Sequence, residues 1–165
     1  MMIAAIDPGT KQSGFVLIAT AHKPPHILGV LNQGIFANED LILDVRTIIS
    51  ASAELLIIEE IAYMGSKCGQ EVFKTAEWAG RFVEAWLSRT SCLPIRLTSH
   101  ETKMRICGQT RGVKDAGVRQ VMIDRYGGKG KAVGLKDSPG IFYGIKSHNW
   151  RALALVEAFL IGDGK

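Results

Sequence analysis

Two short apolar runs that each stop at a carboxylate constrain this chain more than any other feature. Met2 to Asp7, with Ile3 and Ile6, is cut off by Pro8-Gly9 and reads as a buried strand halted at a turn, with Asp7 at its C-terminal tip. Glu54 to Ile61 repeats the pattern, with Leu55-Leu56-Ile57-Ile58 running into Glu59-Glu60. An Asp before Pro-Gly is commonly a turn-former, and one such residue proves nothing. If the two strands are neighbours, however, Asp7 meets one of the two glutamates, and side-chain alternation lets only one of them point that way. Two carboxylates that close repel unless a proton or a cation sits between them, and hard oxygen ligands favour Mg²⁺ or Mn²⁺. In phosphodiester hydrolysis, divalent ions about 3.5–4 Å apart can stabilise both the attacking and the leaving oxygen.

The periodicity around these runs predicts an α/β order. Gly14 to Ala21 and Ile27 to Phe36 are apolar, β-branched stretches separated by His22-Lys23-Pro24-Pro25-His26, and with the first run they form a three-stranded antiparallel meander. Asp40 to Ser50 fits an amphipathic helix, as does Gln70 to Arg89, where Val72, Ala76, Ala79, Phe82, Val83, Trp86 and Leu87 recur at helical spacing. Pro94 to Thr98 alternates as a fifth strand and Lys114 to Tyr126 reads as a basic helix. Gly127 to Gly144 reads as a mobile glycine-rich loop, and Ser147 caps a final helix through Leu160. The order β-β-β-α-β-α-β-α predicts a mixed five-stranded sheet with helices on its faces.

At 165 residues and 47% hydrophobic content, the chain is expected to be one domain, 1–165, with its own core. No apolar stretch approaches the ~20 residues a bilayer crossing needs, and the opening run lacks the basic flank and cleavage site of a leader. A soluble, unsecreted protein with no membrane partner is expected. Cys68, Cys92 and Cys107 are odd in number and widely spaced, which suits packing in a reducing compartment.

The net charge of +4 is unevenly distributed. Residues 1 to 94 carry 7 Lys/Arg against 10 Asp/Glu, giving −3, whereas residues 95 to 151 carry 12 against 4, giving +8. Such a segment is either a solvated face or a surface that approaches phosphates.

Three motifs in order carry a resemblance to a known family. Ile6-Asp7-Pro8-Gly9-Thr10-Lys11-Gln12-Ser13-Gly14-Phe15 is similar to the opening motif of RuvC-type Holliday junction resolvases, members of the RNase H-like nuclease superfamily. Ile58-Glu59-Glu60-Ile61 resembles their second motif, with Glu59 on the catalytic position, and Ser147-His148-Asn149-Trp150-Arg151-Ala152-Leu153-Ala154-Leu155 resembles the closing one. Thr102-Lys103 and Val113-Lys114 fall near two lysines that the family uses around the scissile phosphate.

The resemblance implies an RNase H-like α/β fold and a Mg²⁺-dependent endodeoxyribonuclease, with Mn²⁺ able to substitute. Its partners would be branched DNA, above all four-way junctions, nicked at paired symmetric positions by a homodimer in a bacterial cytoplasm, of phage or prophage origin. The implied catalytic residues are Asp7, Glu59, His148 and Lys114, with Asp7, Glu59 and His148 as metal ligands. The implied DNA contacts are Tyr63, Lys103, Arg105, Lys114, Lys129, Lys131 and Arg151. Tyr63 and Met64 follow the glutamates, where related resolvases set a side chain against the opened junction centre.

Two departures stand out. Arg151 occupies the place of the family's last acidic ligand, and a guanidinium cannot coordinate a metal. Either Arg151 contacts phosphate instead, or Asp137 from the glycine-rich loop serves as a replacement carboxylate; His148 is either a metal ligand or water-orienting base, or a core histidine beside Trp150. The segment from Gly127 to Gly144 is longer than the matching connection, and its glycines and lysines either cradle phosphates or form a plain loop. Phe82, Val83, Trp86 and Leu87 are the candidate dimer face, with helix-on-sheet packing as the alternative. A catalytically inactive junction-binding protein, in which Arg151 turns a cleavage site into a grip, is the main competing class. The short YqgF-like RNA-processing nucleases share the opening turn but lack a match to the Lys114 region, and an actin-like kinase would need a second domain.

Overall fold

The computed structural model describes residues 1–22, 25–62 and 69–163. Strand β1 (Met2–Asp7) lies antiparallel to β2 (Gln12–His22), which pairs antiparallel with the edge strand β3 (Pro25–Ala37). Helix α1 (Asn38–Asp44) runs through a π-helical turn, Val45–Ile49, into α2 (Ser50–Ser52). Strand β4 (Leu55–Glu60) then returns parallel to β1, and after α3 (Gln70–Leu87) strand β5 (Ile95–Thr98) adds parallel to β4. Next come α4 (Ser99–Cys107), α5 (Asp115–Arg125), the single turn α6 (Lys129–Ala132), a hairpin of β6 (Gly134–Leu135) and β7 (Ser138–Pro139), and α7 (Asn149–Asp163). The five-stranded mixed sheet has the order β3-β2-β1-β4-β5, as the apolar patterning predicts.

Because strand side chains alternate, β1 feeds two cores. Ile3 and Ala5 pack with Val16, Ile18, Ile57 and Leu97 against α5 and α7. Ala4 and Ile6 pack with Phe15, Leu56 and Ile58 against α1 and α3. Helix α7 is apolar almost all round, and Ala152, Leu153, Val156 and Ala158 are fully or almost fully buried, because it lies between the sheet and α4 and α5.

Three expectations are corrected, and one helix is added. Phe82 and Trp86 are wholly buried and Val83 half-buried against the sheet, so the proposed dimer face of α3 is core; of the four only Leu87 is exposed. Removing an aromatic ring from such a site costs about 3–5 kcal/mol, which is reason enough for these residues without a partner. The segment 127–144 is not a plain loop: α6 and the hairpin fold it back, and Ala132 and Phe142 are fully buried. Helix α4 was not anticipated. Its apolar face is weak, but Thr98 and Glu101 form a reciprocal capping box, with Thr98 Oγ1 accepting from the Glu101 amide at 3.1 Å and Glu101 Oε2 accepting from the Thr98 amide at 2.8 Å. Finally, Cys92 is an exposed free thiol and only Cys107 is half-buried, while Cys68 lies outside the described residues.

Candidate metal centre and phosphate cleft

In the parallel pairing of β1 with β4, Ile6 stands opposite Ile58, so Asp7 and Glu59 leave the sheet side by side at the strands' C-terminal ends. Both occupy odd positions, continuing the Ile3-Ala5 and Ile57 face that α7 covers. Glu60 points to the other face, with its carboxylate 3.9 Å from Arg96. Asp7 is only 3% exposed and Glu59 is half-buried, and their carboxyls lie within hydrogen-bond reach of each other. Burial is the largest influence on both. It raises the Asp7 carboxyl above its ordinary value, against the lowering effects of the Glu59 hydrogen bond and the Arg151 charge. Burial together with Asp7 pushes Glu59 up to about 8. Without a cation between them, the two carboxyls therefore favour keeping one proton near neutral pH.

The turn behind Asp7 is locked from three sides. A Cβ on Gly9 would fall 2.2 Å from the Gln12 carbonyl oxygen, so no side chain fits there. The Gly9 amide donates to Ser13 Oγ at 3.2 Å, Ser13 Oγ donates to Asn38 Oδ1 at 2.7 Å, and Asn38 Nδ2 donates to the Gly9 carbonyl at 2.9 Å. Asn38 is fully buried at the start of α1, so one side chain ties the turn to both neighbouring elements.

Helix α7 brings the third group. His148 Nδ1 is 3.4 Å from Asp7 Oδ2, and the imidazole is 62% exposed, which excludes the core-histidine reading. Trp150 supplies the anchorage instead. It is buried, its indole donates to the Ile145 carbonyl at 3.0 Å, and it packs edge-on against Phe142 while the Arg119 guanidinium lies 4.7 Å from its ring centre. Close approach is possible because Gly14 stands opposite Asp7 on β2: a Cβ there would meet the His148 carbonyl oxygen at 2.8 Å. Gly14→Ala is expected to push the start of α7 outward, lengthening the contact between His148 and Asp7, and to cost about 1–3 kcal/mol through overpacking. A crystal structure of the variant with that contact unchanged would defeat the expectation.

Three residues beyond His148, which ends the turn into α7, Arg151 lines the same two cavities as that histidine. Its Nε and Nη2 donate to Asp115 Oδ2 at 2.9 and 2.7 Å, and Lys103 Nζ is 3.6 Å from Asp115 Oδ1. Burial raises the Asp115 carboxyl, but the Arg151 hydrogen bond and the charges of Arg151 and Lys103 outweigh it and hold the group below its ordinary value. Glu59, Lys103, Asp115, Arg119, His148 and Arg151 line one cavity of about 290 Å³, and Asp7, Glu59, His148 and Arg151 line the one beside it. The two form a cleft with acids at its floor and cations along its wall.

The predicted site residues divide accordingly. Asp7, Glu59, His148, Lys103 and Arg151 come together. Lys114 is exposed in front of α5, one residue before Asp115, and does not line the cleft. Arg105 does not come to the cleft: Nη1 lies 3.4 Å from the Ala158 carbonyl, near the far end of α7, where a cation favours the helix dipole. Lys129 and Lys131 are exposed on α6, and Asp137 is exposed at the hairpin turn; none of these lines the cleft. Tyr63 and Met64 lie outside the described residues. Arg119 is legible in the sequence only as one of the basic residues of 95–151, and Asp115 was missed, although an acid beside Lys114 in a segment with only four acids was a usable signal.

No protein-family model matches the chain, and a search of curated proteins finds no match. Solved structures do match. RuvC from T. thermophilus in complex with a Holliday junction substrate aligns with a TM-score of 0.67 at 18% identity, covering 98% of this chain and 94% of that one. A further Thermus thermophilus RuvC structure gives 0.68 at 19% identity with the same coverage. The sheet order, the helices on both its faces and this near end-to-end match give the chain the RuvC fold, an α/β fold of the RNase H-like type.

Proposed function

We propose that this chain is a metal-dependent, structure-selective endodeoxyribonuclease that resolves four-way DNA junctions. The observation that carries the reading is the placement of Asp7 and Glu59 side by side at the ends of parallel strands, in a cleft walled by Lys103, Arg119 and Arg151. Acid floor and basic wall together suit a phosphodiester and a cation, and suit neither alone.

The donor set fits a hard divalent ion. Among the described residues no group of three or more His, Cys, Asp or Glu side chains is already gathered as a metal cage. Mg²⁺ does not require one: it keeps several waters and is commonly held by one or two carboxylates plus substrate phosphate. Asp7 and Glu59 would hold it, with His148 at the rim on Asp7, and Mn²⁺ would substitute. When bound, the ion would neutralise phosphate charge and favour deprotonation of water. The chain's own residues do the rest. His148, solvent-exposed beside Asp7, takes a proton from the attacking water; Lys103 and Arg151 offset the charge that builds on the phosphate oxygens. One oxygen–phosphorus bond forms to water, one breaks to the sugar, and the leaving oxygen takes up a proton, so the sum is addition of water across the backbone.

A four-way junction has twofold symmetry, so paired symmetric nicks require two such sites and hence a homodimer of this single domain. The cytoplasm of a bacterial cell, phage-infected or not, is the setting that goes with this reading. The test is a labelled four-way junction beside a linear duplex of the same sequence, with Mg²⁺, with Mn²⁺ and with chelator. Paired nicks confined to the junction and dependent on the ion are expected. Binding without cutting under every metal condition would defeat the nuclease and leave a junction-binding protein.

A further inference from the structure

The Lys103, Asp115 and Arg151 bridge is more than a surface ion pair. Three helices, α4, α5 and α7, each contribute one member, and all three line the wall above Glu59. Arg151 uses two of its nitrogens on a single oxygen of Asp115, and the other Asp115 oxygen faces Lys103. A carboxylate committed to two cations is a poor ligand for a third, so Asp115 does not replace the acid that Arg151 displaces. It fixes the guanidinium in place. Arg151 also lines the cavity that contains Asp7 and Glu59, and its charge acts on both carboxyls. A guanidinium keeps its charge throughout the pH range in which proteins fold, so a permanent positive charge stands beside the two acids.

We propose that the site takes up one divalent ion per chain, on Asp7 and Glu59, and that Arg151, clamped by Asp115, supplies the second positive charge over the phosphate. The role of the guanidinium rests on the nuclease reading above; the ion count does not. Two divalent ions bracket a phosphate by placing positive charge on either side of the transferring group. Here the α7 side of the cleft already carries such a charge, on a guanidinium whose Nε and Nη2 face Asp115 and whose Nη1 is left to meet phosphate oxygens. The repulsion between that guanidinium and a divalent ion close by opposes a second ion. Asp115 is then a positioning residue, acting through Arg151.

Isothermal titration of Mn²⁺ into the full chain without DNA reads the count directly. One ion per chain is expected for the wild type, and two for Arg151→Asp, in which an acid returns to that position; thermal melts identify any variant that fails to fold. Arg151→Gln, milder in its effect on folding, is expected to keep one ion and to lose junction cleavage by 100-fold or more. Free guanidinium ion in solution is expected to restore part of the activity of Arg151→Ala, and added Mn²⁺ is not. Asp115→Asn is expected to keep Mn²⁺ affinity within threefold while cleavage falls at least tenfold, with Asp115→Glu recovering most of the loss. Two ions or none in the wild type, one ion in folded Arg151→Asp, or a tenfold loss of Mn²⁺ affinity in Asp115→Asn would overturn the proposal. A chain that binds one ion yet leaves junctions uncut would overturn the nuclease reading and not the count.

Discussion

Asp7→Asn is expected to lower junction cleavage by at least about 10³-fold while making the metal-free protein more stable at alkaline pH. The two effects have one cause. On the nuclease reading proposed above, a few kcal/mol of transition-state charge stabilisation would depend on a cation held by both acids, and each ~1.4 kcal/mol lost is tenfold in rate. Without the cation the same acids are a liability. Asp7 is almost wholly buried beside Glu59, and burial raises both carboxyls above their ordinary values, Glu59 to about 8. A carboxyl whose folded value lies above its unfolded one contributes stability below the unfolded value, near 4.5 for Glu59, and that contribution is lost as the pH rises through about 8. The metal-free wild type should therefore melt at progressively lower temperature from about pH 5 to pH 8.5. Asp7→Asn removes one of the two charges and its amide can donate to Glu59, so its melting temperature should vary less with pH over the same window. Added Mg²⁺ or Mn²⁺ should restore the wild type at pH 8.5 and do little for the variant. A wild-type melting temperature that is flat across this window in chelator, or near-normal cutting by Asp7→Asn, would remove the paired-acid site from the account.

The second large effect is expected far from the cleft. Glu157 on α7 is buried, and its carboxylate accepts from Arg125 Nη1 at 2.9 Å and from the Tyr126 hydroxyl at 2.8 Å. The same hydroxyl accepts from the Ile27 amide at 3.0 Å, so one network ties α5, α7 and the edge strand β3. Burial and the Glu157 charge both hold the Tyr126 phenol protonated, well above its ordinary range, which keeps it a donor at all relevant pH. Glu157→Ala leaves that hydroxyl without its acceptor and frees Arg125 to turn to solvent, at an expected cost of about 2–4 kcal/mol. Glu157→Gln retains one acceptor oxygen and should cost about half as much. Urea unfolding measures both. Glu157 lies nine residues beyond His148, about 13 Å along the helix, so cleavage by the folded variant should be nearly unchanged. A cost below about 1 kcal/mol for Glu157→Ala would mean that this network contributes little.

Legibility followed the range of the interactions. Asp7 and Glu59 could be read because a strand's alternation and its end are properties of six consecutive residues, and parallel pairing of the two runs was enough to make them meet. The antiparallel meander was readable for the same reason. Helix α3 was found, but its use was open: Phe82 and Trp86 make an apolar stripe whether the stripe covers a sheet or a partner, and only the packed core assigns it to the sheet. Helix α4 left a local signal in Thr98 and Glu101, although its weak apolar stripe hid it.

Lys103 and Arg105 show where local reading stops. They are two residues apart in one basic helix, and at 3.6 residues per turn they diverge by more than half a turn, one into the cleft and the other to the end of α7. The pairing of Arg151 with Asp115 spans 36 positions and exists because α5 and α7 pack side by side. Residue order along the chain thus specified the strands, the two acids and the sign of the charge around them, since these depend on neighbours in sequence. Which cations reach those acids, and what holds Arg151 beside them, depended on helices meeting across the sheet, because a charge acts over ångströms in space and not over positions in the chain.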